Sequence, residues 1–278
     1  MQEVLEELKL PVLSKREVLA NYDHIDLTED EVLEAIVAAK IKKEKLLDEE
    51  KLKQREEFNR KMKQEQWDFD LAKTFFFNRA KRIFKFEFEL DDYNTDIFEL
   101  FCYYFNHDEK FFAKAKLLGV DNPSFNKGLM LAGNFGVGKT VLMKLFSQNK
   151  KQCYFIDSAK TIAESYVKSK EKVLDEKYLF PVKNAFQDPG VFCQEYMALC
   201  IDDLGAENIK NNFGNLSNVI GDLIEHRYDK GYTGPWLHGS SNLGADELKS
   251  FYGERVVSRM REIFNWIVVD EEAPDRRK

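Results

Sequence analysis

Cysteine and histidine are scarce in this sequence, four of each among 278 residues. Cys102, Cys153, Cys193 and Cys200 form no CxxC pair, which argues against a disulfide framework or a thiolate metal site. They read instead as buried or free thiols in a reducing cytoplasm. The four histidines are scattered and offer no ligand cluster. Long apolar runs are missing too: none approaches the ~18 residues of a membrane span. The opening MQEVLEELKLPVL has neither the basic start nor the apolar stretch of a secretory signal. The sequence therefore predicts a cytoplasmic protein with no membrane contact. No internal repeat is visible. An excess of positive charge is also absent, with 42 Lys and Arg against 49 Asp and Glu and a net charge of −7. That total by itself disfavours nucleic acid as a partner. What is present, 44% hydrophobic and 33% charged residues, suits a globular protein with an ample core. The length fits one large domain, or a domain with a sizeable appendage.

The charge is divided unevenly. Residues 1–111 hold 19 basic and 27 acidic side chains, a net of −8, and residues 112–278 hold 23 and 22, a net of +1. Between Thr28 and Arg82 there is neither proline nor glycine, and Glu, Lys, Leu and Ala predominate, as in long helices. Thr28 followed by Glu31 reads as a capping box that opens a helix. Within it, residues 40–63 carry ten basic and six acidic side chains, a pattern of a solvated face or of a partner-binding or coiled-coil arm. Twelve of the 23 phenylalanines lie between Trp67 and Phe112. Such rings can stack on bases, but packing of the N-terminal region on the following domain is the simpler reading. Lys85–Leu90 alternates as a strand or extended linker would.

The strongest signal is Gly133-Asn134-Phe135-Gly136-Val137-Gly138-Lys139-Thr140, a full GxxxxGK[ST] match. An apolar run, Gly128–Ala132, precedes it as a buried parallel strand would, and Val141–Phe146 can continue as the apolar face of a helix. Glycines let such a loop turn its backbone N–H groups around phosphate oxygens, and the new helix presents its positive end to the anion. Gly133 to Val141 thus form the expected nucleotide-binding segment. Lys139 reaches the β- and γ-phosphates, and the Thr140 hydroxyl ligates Mg²⁺.

A carboxylate at a neighbouring strand end should complete the magnesium site. Met197–Ile201 is strand-like and leads directly into Asp202-Asp203. Asp202 is placed to hold the metal, directly or through water, and Asp203 to act as general base toward the attacking water. Glu207 is a weaker candidate for a supporting role. A third strand runs into Ser240-Ser241-Asn242, where the Asn242 amide can sense the γ-phosphate. Arg255 and Arg259, four apart, share a helix face.

The order of these parts resembles the DnaC/IstB-like branch of AAA+ ATPases, which includes bacterial and phage replicative helicase loaders. The resemblance spans roughly residues 122–270 and is carried by IDDLGAE (Ile201–Glu207), SSNL (Ser240–Leu243) and YGERVVSRMRE (Tyr252–Glu262). It implies an α/β P-loop fold, an αβα core on a parallel five-stranded sheet with the P-loop strand central. The other strands are expected at Lys151–Asp157, Tyr196–Ile201, Pro235–Ser240 and Phe264–Val269. It implies an ATPase domain without a separate lid, set at 91–278, and the charge and texture of the sequence set before it a helical partner-binding region, 1–90, which the resemblance does not cover. It makes Asn242 similar to sensor 1, and Arg259, with Arg255, similar to an arginine finger acting on a neighbouring subunit's ATP; which of the two is the finger stays open. Where many relatives carry Glu, this chain has Asp203, which implies slow, switch-like hydrolysis.

The resulting expectation is an ATP- and Mg²⁺-dependent ATPase. It assembles through its ATP sites, grips a replicative helicase with its N-terminal region and helps place it on single-stranded DNA. Lys168, Lys170 and Lys172 are the candidate DNA contacts. A transposition helper ATPase of the IstB kind shares the core, and a net −8 appendage suits a protein partner better than a duplex. A P-loop kinase needs an Arg-rich lid, which the stretch between Asp157 and Tyr196 does not offer. A non-hydrolysing ATP-gated adaptor remains the fourth reading.

Overall fold

The computed structural model describes residues 26, 28–62, 67–84, 88–149, 151–169, 177–183, 196–207, 210–212 and 215–277, without the side chains of 55, 58–62, 167–169, 210–212 and 215–217. The chain divides into two compact units, Met1–Arg60 and Lys61–Lys278.

Among the described residues the first unit consists of one helix, α1 (Glu29–Met62), which ends just past its boundary. Its start is the expected capping box. The Thr28 N–H donates to the Glu31 carboxylate at 2.9 Å, and the Glu31 N–H donates back to Thr28 Oγ1 at 3.3 Å. Val32, Leu33, Ile36, Val37 and Ile41 are all exposed along it, as are Leu46, Leu47 and Leu52.

The second unit begins with three helices, α2 (Phe69–Ile83), α3 (Thr95–Phe105) and α4 (Lys110–Leu117). Asp68 caps α2 by accepting the Leu71 N–H at 2.8 Å. The buried residues of α2, Leu71, Ala72, Phe75, Phe76, Arg79 and Ala80, recur at helical spacing and form one stripe. Arg79 donates to Leu145 O at 2.9 Å and to Ser147 Oγ at 3.0 Å. This packing corrects the boundary expected at residue 90: α2 belongs to the unit of the sheet. Of the expected extended segment at Lys85–Leu90, residues 85–87 lie outside the described residues, and 88–90 are irregular.

Among the described residues eight strands follow: β1 (Gly128–Ala132), β2 (Tyr154–Ser158), β3 (Val182–Lys183), β4 (Tyr196–Leu204), β5 (Lys210–Asn212), β6 (Asn215–Ser217), β7 (Leu237–Ser241) and β8 (Phe264–Val268). Between them run α5 (Lys139–Phe146), α6 (Ala159–Ser169), α7 (Val219–Asp229), α8 (Ala245–Tyr252) and α9 (Glu254–Ile263). The order β2-β4-β7-β1-β8 is parallel throughout, with β3 added antiparallel to β4, and β5 and β6 form a separate antiparallel ribbon. The α/β class and the five parallel strands are as expected. The P-loop strand is not central, however. β7 holds the middle, and β1 lies between β7 and β8, because strand order follows the crossovers and not the sequence of any one strand.

β1 is buried along its whole length, as a strand covered on both faces must be. On one side of the sheet, Val256, Val257, Met260 and Ile263 of α9 join Met130, Leu199, Ile201 and Leu237 in a single core. Aromatic rings from α2 and α3 gather around Phe146 at the end of α5. Cys102 and Cys200 are free and buried, whereas Cys153 is disulfide-bonded, against the expectation of thiols throughout. Among the described residues no helix is long and apolar enough to cross a membrane.

Candidate nucleotide site

β1 ends at the loop that opens α5, and two glycines there have no substitute. Gly136 and Gly138 take φ of 79° and 96°, a left-handed backbone that disfavours side chains. A Cβ on Gly136 would also fall 2.0 Å from the Asp275 carboxylate. The turn delivers Lys139 and Thr140 to the first turn of α5, facing a cavity of about 500 Å³. Its lining includes residues 136–142, Asp203 and Asn242 from the neighbouring strand ends, and Phe88, Glu89 and Asn94 from the segment before α3. Gly133 and Asn134 form the loop's first half, and the Phe135 ring is 66% exposed.

The Lys139 ammonium donates to the carbonyls of Gly133 and Asn134 at 2.8 and 2.7 Å and to Asn242 Oδ1 at 2.6 Å. Burial pulls its pKa below the ordinary lysine value, opposed by the Asp203 and Asp202 carboxylates, while Arg277 adds to the depression. A buried cation of this kind gains from an anion in the same cavity. Thr140 Oγ1 donates to the Asp202 carboxylate, with oxygens at 2.9 and 3.1 Å.

A regular strand would send Asp202 and Asp203 to opposite faces. β4 avoids this with a bulge. Ile201 pairs with Gly239 and Leu204 with Ser241, so three steps on β4 oppose two on β7. The extra residue is accommodated at Asp203, whose φ is 55°, a region that Asp enters more readily than most residues. Asp202 then meets Thr140, while Asp203 lines the cavity and accepts the Asn242 Nδ2–H at 2.9 Å. Ser240 fixes the pair: its Oγ accepts the Asp203 N–H at 3.1 Å and donates to Asp202. Sequence reasoning quoted Ser240 only as part of a strand end and assigned it no role; its position one residue before the bulge partner Ser241 emerges only from pairing.

Glu207 turns away from this cavity. Its carboxylate accepts the Gly205 N–H at 2.9 Å and the Tyr252 hydroxyl, so it anchors the loop after β4 to α8. Burial pushes its pKa up. Between the usual carboxylate range and that raised value the native state holds a proton that the unfolded chain has lost. Stability therefore falls as pH rises through this window. Glu207→Gln is expected to flatten that stretch of the curve, measured as the urea midpoint against pH.

Arg255 and Arg259 also lie away from the chain's own cavity. Arg259 pairs with Glu225 at 3.3 Å and Asp229 at 3.2 Å and covers the Tyr228 ring, and Arg255 pairs with Glu225 at 3.0 Å. Lys170 and Lys172, and the side chain of Lys168, lie outside the described residues. Two further cations that the sequence did not single out, Arg276 and Arg277, do line the cavity.

The donor set fits a magnesium nucleotide. Thr140 and Asp202 offer two hard oxygens on one side, as Mg²⁺ takes when phosphate and water complete its shell, and Lys139 offers charge to a polyphosphate.

No protein-family model matches the chain, and no curated protein matches it. Several solved structures are similar in part, three of them as follows. The DnaC helicase loader is 21% identical, over 59% of this chain and 90% of that one, with a TM-score of 0.37. A putative primosome component from Streptococcus pyogenes serotype M3 is 15% identical, over 66% and 83%, with a TM-score of 0.41. AMPPCP-bound DnaA from Aquifex aeolicus is 18% identical, over 66% of this chain and 49% of that one, with a TM-score of 0.40. At these values each is a likeness only.

Proposed function

We propose that the chain is a helicase-loader-like AAA+ ATPase that binds and slowly hydrolyses ATP. The observation that carries the ATPase reading is the convergence of Lys139, Thr140, Asp203 and Asn242 from three strand ends on one cavity, with Asp202 bonded to Thr140 beside it. Mg²⁺, held through Thr140 and Asp202, would supply charge neutralisation at the phosphates. Lys139 exchanges its bonds to loop carbonyls for phosphate oxygens. Asp203 takes the proton of the attacking water, and Asn242 orients that carboxylate. Arg259, with Arg255, serves a neighbouring subunit's ATP after release from Glu225 and Asp229, so that nucleotide governs assembly.

The helicase is the proposed partner of the N-terminal unit, whose exposed apolar residues on α1 suit a groove-binding helix. Single-stranded DNA is the proposed ligand of Lys168, Lys170 and Lys172. The loader role rests on the wording of IDDLGAE, SSNL and YGERVVSRMRE. Co-purification with the replicative helicase and with a transposase, in ATP and in ADP, tests it; ATP-dependent capture of the transposase alone would replace the loader reading with the transposition one. For the ATPase itself, Lys139→Ala is expected to weaken MgATP binding by roughly 10–150-fold, the loss of a charge-assisted contact of ~1.5–3 kcal/mol. A fluorescent ATP analogue measures this, and wild-type affinity in the variant refutes the site.

A further inference from the structure

After β8 the chain turns at Asp270, where the Ala273 N–H returns to Asp270 O at 3.1 Å, and Ala273 is buried. The next residues lie across the phosphate loop. The Arg276 N–H donates to Gly136 O at 3.0 Å, and Arg276 Nε donates to Val137 O at 3.1 Å. The other end of the same guanidinium grips Asp91, with Nη2 3.0 Å from Oδ1 and Nη1 on Oδ2. Asp91 in turn organises the turn before α3, accepting the N–H groups of Tyr93 and Asn94 at 2.9 and 3.0 Å. One side chain thus joins three segments that border the cavity: the phosphate loop, the tail and the turn carrying Asn94. Arg276 also holds the Asp91 carboxyl below its ordinary pKa, as a persistent ion pair does.

Arg277 stands beside this latch. Its N–H is held by Asp275 Oδ1 at 3.0 Å, its side chain lines the cavity with Lys139, and among the described residues it has no carboxylate partner. Two cations facing one cavity repel each other and are reconciled by a polyanion.

We propose that residues 273–277 form a nucleotide clamp, in which Arg276 latches the tail to the phosphate loop through Asp91 and Arg277 is a second cation that binds the triphosphate beside Lys139. This rests on the ATP-site reading. The carbonyls of Gly136 and Val137 are held from the tail's side, which stiffens the loop that must present its N–H groups to phosphate. The latch and the charge are separable: Arg276 and Asp91 act on loop geometry, Arg277 on the ligand.

The test uses the full chain and a fluorescent ATP analogue with Mg²⁺. Arg277→Ala is expected to raise Kd about tenfold or more, as loss of a charge-assisted contact does, and to lessen the weakening caused by added salt. Arg277→Lys should recover most of the affinity. Arg276→Ala and Asp91→Asn should each weaken binding, and the double variant should be no worse than either single one, because both remove the same pair. The melting temperature of Arg277→Ala without nucleotide should equal that of wild type, since the side chain is exposed. If wild type binds and Lys139→Ala does not, but Arg277→Ala binds as wild type does, the clamp is refuted while the ATP site stands. If wild type itself does not bind, the ATP reading falls and the clamp with it.

Discussion

Asp203→Asn is expected to lower ATP hydrolysis by roughly 10²–10⁴-fold, the usual worth of a positioned general base, while MgATP stays bound. The substitution removes the proton acceptor and little else. Asn is nearly isosteric, tolerates the left-handed φ of 55° found at this bulge, and keeps an amide oxygen for Asn242 Nδ2. Folding should therefore be untouched, with an unchanged melting temperature as the control. Phosphate release and analogue binding, measured on the same preparation, separate the two functions. Equal turnover in the variant would remove Asp203 from the chemistry and favour an ATP-gated adaptor. Loss of binding together with turnover would instead mean that Asp203 mainly balances the charge of Lys139, which it faces across the cavity. Asp203→Glu lengthens the acid by one methylene and tests whether slow hydrolysis follows from reach.

What could be read from the sequence follows from how local each feature is. The phosphate loop is contiguous and its glycines serve the backbone turn, so Gly133–Thr140 announced that turn. The apolar runs at 128–132, 197–201 and 264–269 announced strands, with ends within a residue except at β4, which continues three residues further, to Leu204. At 151–157 the strand starts later, at Tyr154, because residues before it are spent on a turn. At 235–240 the first residues wind into a short 3₁₀ turn, Gly234–Trp236, before β7. The bulge at Asp203 was hidden, since it exists only as a mismatch between β4 and β7. The tail arginines were hidden for the same reason: nothing near residue 276 in sequence says that Asp91 and Val137 meet it.

Charge arithmetic misled where it was cut at residue 111. At the observed division, residues 1–60 hold 11 basic and 16 acidic side chains, a net of −5, and residues 61–278 hold 31 and 33, a net of −2. The appendage thus holds −5 of the excess and not −8, and the second unit is itself slightly acidic instead of +1. The stripe from Leu71 to Ala80 on α2 carried the better signal of where the second unit starts.

That stripe leads to the aromatic cluster around Phe146. Phe146 is fully buried at the last residue of α5. Its ring centroid lies 3.9 Å from Phe76, 5.4 Å from Phe98, 5.2 Å from Phe101 and 5.6 Å from Phe105. Four of the twelve phenylalanines between residues 67 and 112, Phe76, Phe98, Phe101 and Phe105, thus have a packing role, as the sequence suggested. Phe146→Ala removes the ring that four others share, and stiff aromatic neighbours collapse poorly into the space. The expected cost is about 3–5 kcal/mol. For a domain of this size that corresponds to a fall in melting temperature of roughly 6–20 °C. Phe146→Leu, which refills part of the volume, should cost clearly less. The same helix carries Lys139 and Thr140 at its other end, so a loosened α5 should also bind MgATP more weakly, and saturating nucleotide should restore part of the lost stability through mass action. Thermal denaturation with and without MgATP reads both effects. A loss below about 1 kcal/mol, the range of ordinary surface substitutions and mild core changes, would show that the aromatic cluster is not what holds α2 and α3 to the sheet.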